Sequence, residues 1–424
     1  EEEFSNRMFS KYITQNTFTA DIQSGIDASV NGDTLIAEPG TYVENINFNG
    51  KNIVLASDFL LTGDTSYISS TIIDGGSSGP TVLLENSEEN CHLIGFTITQ
   101  GYCGIKIENG VNSSNIGPFF TNLHFKNNGS AYEGSSIYVP CNHNISFVVD
   151  NCEFYNNTAS QNVIYTCNIN NSDPTRFPYI KNSKFYNNTI SGGCVVQFNG
   201  ENSKIENCLF NDNICFAAVK FYNGSTGHSL LNSTVANNSG YAVYIEYPHQ
   251  SSFVNIENTI IWGNNSNSYQ FYVNRGPYSP ANLNIDYSLV QLGANSVEIT
   301  GTGVNWVSNY GSNNLDVDPD FNTDYSLTNF SLAIGSGNSA TAITTDILGG
   351  IRPNPAGSNP DIGAYENSLA IPDILGCTDP TALTYNPNAN INDPSLCCYV
   401  GGCTDPAATN YDPNACFNTI SCTF

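Results

Sequence analysis

A seven-residue motif returns along the middle of the chain and limits the fold more than any other feature. It reads Asn122–Asn128, Asn151–Asn157, Asn182–Asn188, Asn207–Asn213, Asn232–Asn238 and Asn258–Asn264, with a looser copy at Asp286–Leu289. Subtracting successive first positions (151−122, 182−151, 207−182, 232−207, 258−232, 286−258) gives steps of 29, 31, 25, 25, 26 and 28 residues. Self-similarity at such a period marks a solenoid, in which each repeat buries its apolar face only against its neighbours.

Each repeat holds a second short run: Ile105–Ile107, Ile137–Val139, Ile164–Thr166, Val196–Phe198, Val219–Phe221, Val243–Ile245 and Phe271–Val273. The outer residues of these triplets are mostly apolar and the middle one is large or polar. That alternation is the pattern of short strands with one buried face. Between the runs no amphipathic helix of useful length occurs. Strands stacked once per coil of roughly 25 residues describe a parallel β-helix. On these residues the chain resembles the right-handed parallel β-helix proteins of the pectin-lyase-like superfamily. The expected fold class is therefore all-β, with an N-terminal helical cap and two small disulfide-rich C-terminal modules.

Alternation also assigns faces. Leu123, Cys152, Ser183, Cys208, Ser233 and Thr259 form one inward column, and Phe125, Phe154, Phe185, Phe210, Val235 and Ile261 a second. Each large apolar group buried there contributes about 1.5–3 kcal/mol. The Asn-Asn pair ends each motif with residues that tolerate a left-handed φ. Equivalent asparagines stacked about 4.8 Å apart are placed to form hydrogen-bonded ladders.

Residues 1–20 lie outside the repeats, and Phe4, Met8, Phe9, Tyr12, Ile13 and Phe18 make them too apolar for a free tail. They read as an arm, folded on the chain's own solenoid or docked on a neighbouring subunit. Residues 21–370 read as the β-helix with its caps. It opens with a short helix presenting Ile22 and Ile26 on one face, which covers the first coil. The stretch Gly32–Ile46, with Pro39-Gly40-Thr41-Tyr42, is similar to the opening coil of the same superfamily, and Asn314–Phe321, Ser331–Gly337, Asp346–Pro353 and Asp361–Glu366 are similar to its closing segment. Arg352 is expected to pair with Asp361 or Glu366 there.

Residues 371–401 and 402–424 change style. Gly376-Cys377-Thr378-Asp379-Pro380 recurs as Gly402-Cys403-Thr404-Asp405-Pro406, a step of 26 (403−377), and each copy carries three cysteines: Cys377, Cys397 and Cys398, then Cys403, Cys416 and Cys422. Modules this small need covalent staples, so three disulfides are expected, with connectivity left open. The pair resembles short repeats near the C-termini of secreted surface proteins, which implies an extracellular setting.

Composition narrows the function. Twelve Lys and Arg against 38 Asp and Glu leave a net charge of −26, which disfavours nucleic acid, because phosphate binding needs basic residues. No run of about 20 apolar residues is present to span a membrane. Fourteen cysteines and a start at Glu1 without a signal peptide read as a processed, secreted form. Within the solenoid, Cys141 and Cys167 lie 26 residues apart (167−141), at one coil and nearly one phase, and are expected to be bridged. Cys194 with Cys215 is a second expected bridge, and Cys91 with Cys103 a third candidate. Cys152 and Cys208 share a column two coils apart, about 10 Å, and are expected to be free buried thiols.

The resemblance implies polysaccharide lyases or hydrolases as candidates, and the residues are set against that. A hydrolase needs a close pair of carboxylates, and a lyase needs a base with a neutralising cation. The polygalacturonase pattern fails, because Asn322-Thr323-Asp324 is followed by neither Asp-Asp nor Gly-His-Gly. His124, Glu153 and Lys184 occupy one outward column as an acid–base patch, but Leu209, Thr234 and Ile260 end it. The middle residues of the second runs put Tyr138, Tyr165, Tyr244 and Tyr272 on one face, a stripe suited to sugar stacking or subunit packing. The chain reads as lacking a cofactor, with calcium left open at Asp316, Asp318, Asp320 and Asp324 or at Asp379, Asp393, Asp405 and Asp412. Asn-x-Ser/Thr sequons at Asn112, Asn128, Asn144, Asn156, Asn170, Asn187, Asn223, Asn232, Asn237, Asn264 and Asn329 are candidate glycosylation sites, several of them in the repeated turn. The expected function is a non-enzymatic structural or adhesive surface protein that joins copies of itself head to tail. A carbohydrate-active β-helix, lyase or polysaccharide binder, is the alternative.

Overall fold

The computed structural model describes residues 10–13, 21–86, 88–108, 117–129, 133–141, 146–169, 177–200, 202–222, 227–246, 253–265, 268–275, 282–301 and 307–424. Three parallel sheets of 12, 10 and 10 strands run the length of a β-helix. One coil takes Val148–Asp150 in the first sheet, Glu153–Tyr155 in the second and Asn162–Ile169 in the third. The next coil takes Tyr179–Lys181, Lys184–Tyr186 and Cys194–Gly200.

Two left-handed residues per coil, most of them asparagines, make the corners. The first of each motif joins the first sheet to the second in a left-handed conformation, as at Asn151 (φ 52°), Asn182 (φ 51°) and Asn207 (φ 55°). The sixth repeats this between the second sheet and the third at Asn156, Asn187 and Asn237 (φ 54°, 54° and 55°). Asparagine tolerates this region better than other residues with a Cβ. The seventh position turns inward as an amide ladder. Asn157 accepts from the backbone N–H and Nδ2 of Asn128, and donates through Nδ2 to Asn188 Oδ1 at 3.0 Å and to the carbonyl of Phe125 at 2.9 Å. Asn188, Asn213, Asn238 and Asn264 continue it.

Both inward columns are buried as expected, and Phe125, Phe154, Phe185 and Phe210 stack face to face with centroids 4.6, 4.5 and 4.5 Å apart. At the N-terminal end, helix Ile22–Ala28 is capped by Asp21, whose side chain accepts from the Ser24 N–H, and it buries Ile22 and Ile26. Ser10–Ile13 pairs in parallel with Thr34–Ala37 as the outermost strand of the first sheet, so this part of the arm lies on its own solenoid.

The closing segment departs from expectation. It does not merely cap the last coil but folds back over the second sheet. The Gly363 N–H donates to the Asn258 carbonyl, the Ala364 N–H to Thr234 Oγ1, and the Tyr325 hydroxyl to Asp212. Arg352 pairs with Glu366 at 2.8 Å, one of the two partners anticipated. Burial and the neighbouring Glu366 charge push Asp361 up to about 7.

Four disulfides form among the described residues. Cys141–Cys167 bridges successive coils as expected. In the C-terminal modules Cys377–Cys397 and Cys403–Cys422 close each copy, and Cys398–Cys416 joins the two. The expected Cys194–Cys215 bridge is absent, and both thiols are free and buried, as are Cys91 and Cys103. Register explains the first pair: Cys194 stands opposite Ala217, so Cys215 falls two residues short of alignment. Cys152 and Cys208 are free and buried. No described helix is long and apolar enough to cross a membrane.

Candidate functional site

The outward face of the third sheet carries the anticipated column. Register aligns Lys106, Tyr138, Tyr165, Gln197, Lys220, Tyr244, Tyr272 and Glu298 on successive strands. The tyrosines are not an open stripe, however. They pair as Tyr138 with Tyr165 (6.0 Å) and Tyr244 with Tyr272 (5.1 Å), on either side of Gln197 and Lys220. Tyr165 and Tyr244 retain only 6% and 7% of their exposure.

Between the two pairs lies a groove of about 600 Å³. One side of it is a hydrogen-bonded relay. Gln197 Nε2 donates to Asn199 Oδ1 at 2.8 Å, and Asn199 Nδ2 donates to the Tyr165 hydroxyl at 3.1 Å. Tyr165 is in turn bonded to the Glu133 carboxylate, and burial together with that charge raises its hydroxyl pKa, so it stays protonated. On the other side Lys220 Nζ sits 2.6 Å from Glu246 and 4.8 Å above the Tyr244 ring. Phe216 closes that end, edge-on to Tyr241, Tyr244 and Tyr272 at 5.5, 5.3 and 5.7 Å. Gly193 lines the wall, where a Cβ would collide with the Gln161 carbonyl of the preceding coil. The Cys141–Cys167 disulfide secures the strand that carries Tyr165.

Such a groove has two capabilities. Aromatic faces stack on the C–H faces of sugar rings, and amides and phenolic hydroxyls bond their hydroxyls. Among the described residues lining it, Lys220 is held by Glu246 and Glu133 by Tyr165.

The His124, Glu153 and Lys184 column also forms, in register on the second sheet. Tyr186 donates to Glu153 at 2.9 Å and stacks on Tyr155 at 5.1 Å, and burial lowers the His124 pKa. A cleft of about 480 Å³ separates Glu153 and Lys184 from residues 345–349 of the closing segment. The column turns apolar at Leu209 and Ile260 because the closing segment lands there: Leu209 packs on Ile347 and Tyr365, and Ile260 on Ile334 and Ile362.

The other candidates separate on burial and bonding. Asn128, Asn232 and Asn264 retain 1%, 1% and 0% exposure, which leaves a glycan no room and corrects those three sites. Asn156, Asn187, Asn237 and Asn329 are exposed. Asn112, Asn144, Asn170 and Asn223 lie outside the described residues. Asp379, Asp393, Asp405 and Asp412 each accept the N–H two residues on, closing their own turns, as Asp318 and Asp324 do. Asp316 accepts from the Leu292 N–H and Asp320 from the Thr328 hydroxyl. Among the described residues no three His, Cys, Asp or Glu side chains gather as a metal set.

Sequence reasoning missed Glu133, Asn199, Phe216 and Glu246. Glu246 was within reach, since it stands one coil beyond Lys220 and two residues further along its strand. Phe216 precedes a strand run, where alternation assigns no face.

No protein-family model matches this chain, and no curated protein matches it. Among solved structures it is similar to pectate lyase Pel9A at 13% identity and a TM-score of 0.44, over 84% of this chain and 96% of that one. A structure of XylC in complex with xylose matches at 9% identity and a TM-score of 0.37, over 84% and 98%. The A-module of the Azotobacter vinelandii mannuronan C-5 epimerase AlgE4 matches at 12% and 0.35, over 70% and 92%.

Proposed function

We propose that this protein is an extracellular carbohydrate-binding β-helix that holds a polysaccharide chain in the groove of its third sheet without cleaving it. The observation that carries the reading is the groove itself, with the Tyr165–Asn199–Gln197 relay facing the Tyr244–Phe216 aromatic wall across open space. The pairing of both ionisable groups that a base or acid would use favours binding over turnover. Four disulfides support an oxidising, extracellular setting. Isothermal titration of the intact protein against polysaccharide fragments tests this. Gln197→Ala is expected to weaken binding about tenfold, the value of one or two lost hydrogen bonds, with the thermal midpoint unchanged. Release of reducing ends from any bound glycan would overturn the non-catalytic part.

A second reading, assembly with other copies, is favoured by a different observation. The C-terminal modules leave Leu383, Tyr385, Leu396, Tyr399, Tyr411 and Phe417 exposed at 41–56% of their surface. Apolar exposure of this density marks contact surfaces. Sedimentation of the full chain is expected to show concentration-dependent association that Leu396→Ser with Tyr399→Ser abolishes. A monomer at all concentrations would remove this reading and leave the groove untouched.

A further inference from the structure

We infer that the groove selects an uncharged glycan and rejects an acidic one; this rests on the groove being a polysaccharide site. The argument is one of charge placement. The outward column of the third sheet carries two described lysines, Lys106 and Lys220, and both are already neutralised on that face, Lys106 by Glu108 at 2.5 Å and Lys220 by Glu246 at 2.6 Å. Two further carboxylates stand on the same face: Glu133, bonded to Tyr165, and Glu298, which accepts from the Tyr241 hydroxyl. Among the described side chains named here the face thus holds two paired cations against at least four carboxylates, within a chain of net charge −26.

Among the described side chains lining the groove, a carboxylate on an incoming sugar would meet one cation, Lys220, which Glu246 already pairs. Drawing Lys220 away would leave Glu246 facing Tyr244, whose hydroxyl is bonded to that carboxylate. Breaking a partly buried pair to release one partner is costly, because the other is left uncompensated. A neutral ring needs none of this. Its hydroxyls find Gln197, Asn199 and Tyr165, and its apolar face finds the exposed ring of Phe216. Because no ion pair forms across the interface, binding should be insensitive to salt.

The test titrates intact protein with xylohexaose, cellohexaose and mannohexaose, and with hexagalacturonate and hexamannuronate, at about 20 and 300 mM NaCl. The expected result is binding of at least one neutral chain, changing less than twofold with salt, with both acidic chains at least tenfold weaker at low salt. Tighter binding of an acidic chain, or affinity that collapses at high salt, overturns the inference while leaving the polysaccharide reading intact. Binding of none of the five overturns both. Glu246→Gln gives an independent arm: freeing Lys220 should raise acidic-chain affinity at low salt at least fivefold, with the gain lost at high salt. Glu133→Gln, on the opposite side of the groove, serves if that variant fails to fold, and should raise acidic-chain affinity in the same direction. No gain from either folded variant also overturns the inference.

Discussion

His228 sits in the solenoid interior at 2% exposure, with its ring stacked 4.7 Å from Phe221 and neither nitrogen hydrogen-bonded. Burial alone pushes its pKa down from the ordinary 6.5 to about 4. In the unfolded chain the imidazole protonates as pH falls through about 6.5, whereas in the folded protein it stays neutral until about 4. Stability is therefore untouched above about 6.5 and falls as the solution is acidified between those values. Denaturation of wild type and His228→Leu at pH 7.5 and 4.5 should show the wild type losing about 2–3 kcal/mol more than the variant. Equal losses would mean that the imidazole is solvated. That this histidine faces inward was legible from alternation along Gly227–Leu231. That it has no partner was not, because the groups around it come from other coils.

At the scale of the element, the two asparagines that close each second-sheet strand look interchangeable in sequence and are not. Asn187 is exposed at φ 54° and serves the turn, while Asn188 is buried and bonds both neighbouring coils. Asn188→Ala would remove the acceptor of the Asn157 backbone N–H and the amide bond to the Phe154 carbonyl, a cost of about 2–4 kcal/mol. Asn187→Gly should change stability by less than about 1 kcal/mol, since glycine adopts positive φ freely. Urea midpoints of the two variants check the contrast, and equal effects would refute the division of labour. Period-two alternation and the repeat step made the strands, both inward columns and the Tyr165 and Tyr244 face readable in advance. The groove's depth was less so, because Phe216 and Glu133 enter from corners where no periodicity holds. The fold-back of residues 321–366 was unreadable for a plainer reason: Thr234 and Ile260 look outward by alternation, and only partners several coils further along the chain make them interior.

Across the whole molecule, the solenoid is held by contacts between coils and one described disulfide, and the C-terminal modules by three. Cys422 is bonded to Cys403, and six residues back along the chain Cys397 is bonded to Cys377, with Cys398–Cys416 tying the copies together. A force applied at Phe424 thus travels through sulfur and a short stretch of backbone, and bypasses residues 378–396 and 404–421. These loops form a reserve of length that tension cannot draw out while the bridges are intact. In single-molecule pulling the oxidised modules should contribute almost no extension. Reduction should release about 37 residues, or roughly 12 nm at about 3.4 Å each. If the oxidised form lengthens by that amount, the bridges do not carry the load. If it does not, the load passes through the bridges, and their redox state sets how far residues 377–422 yield.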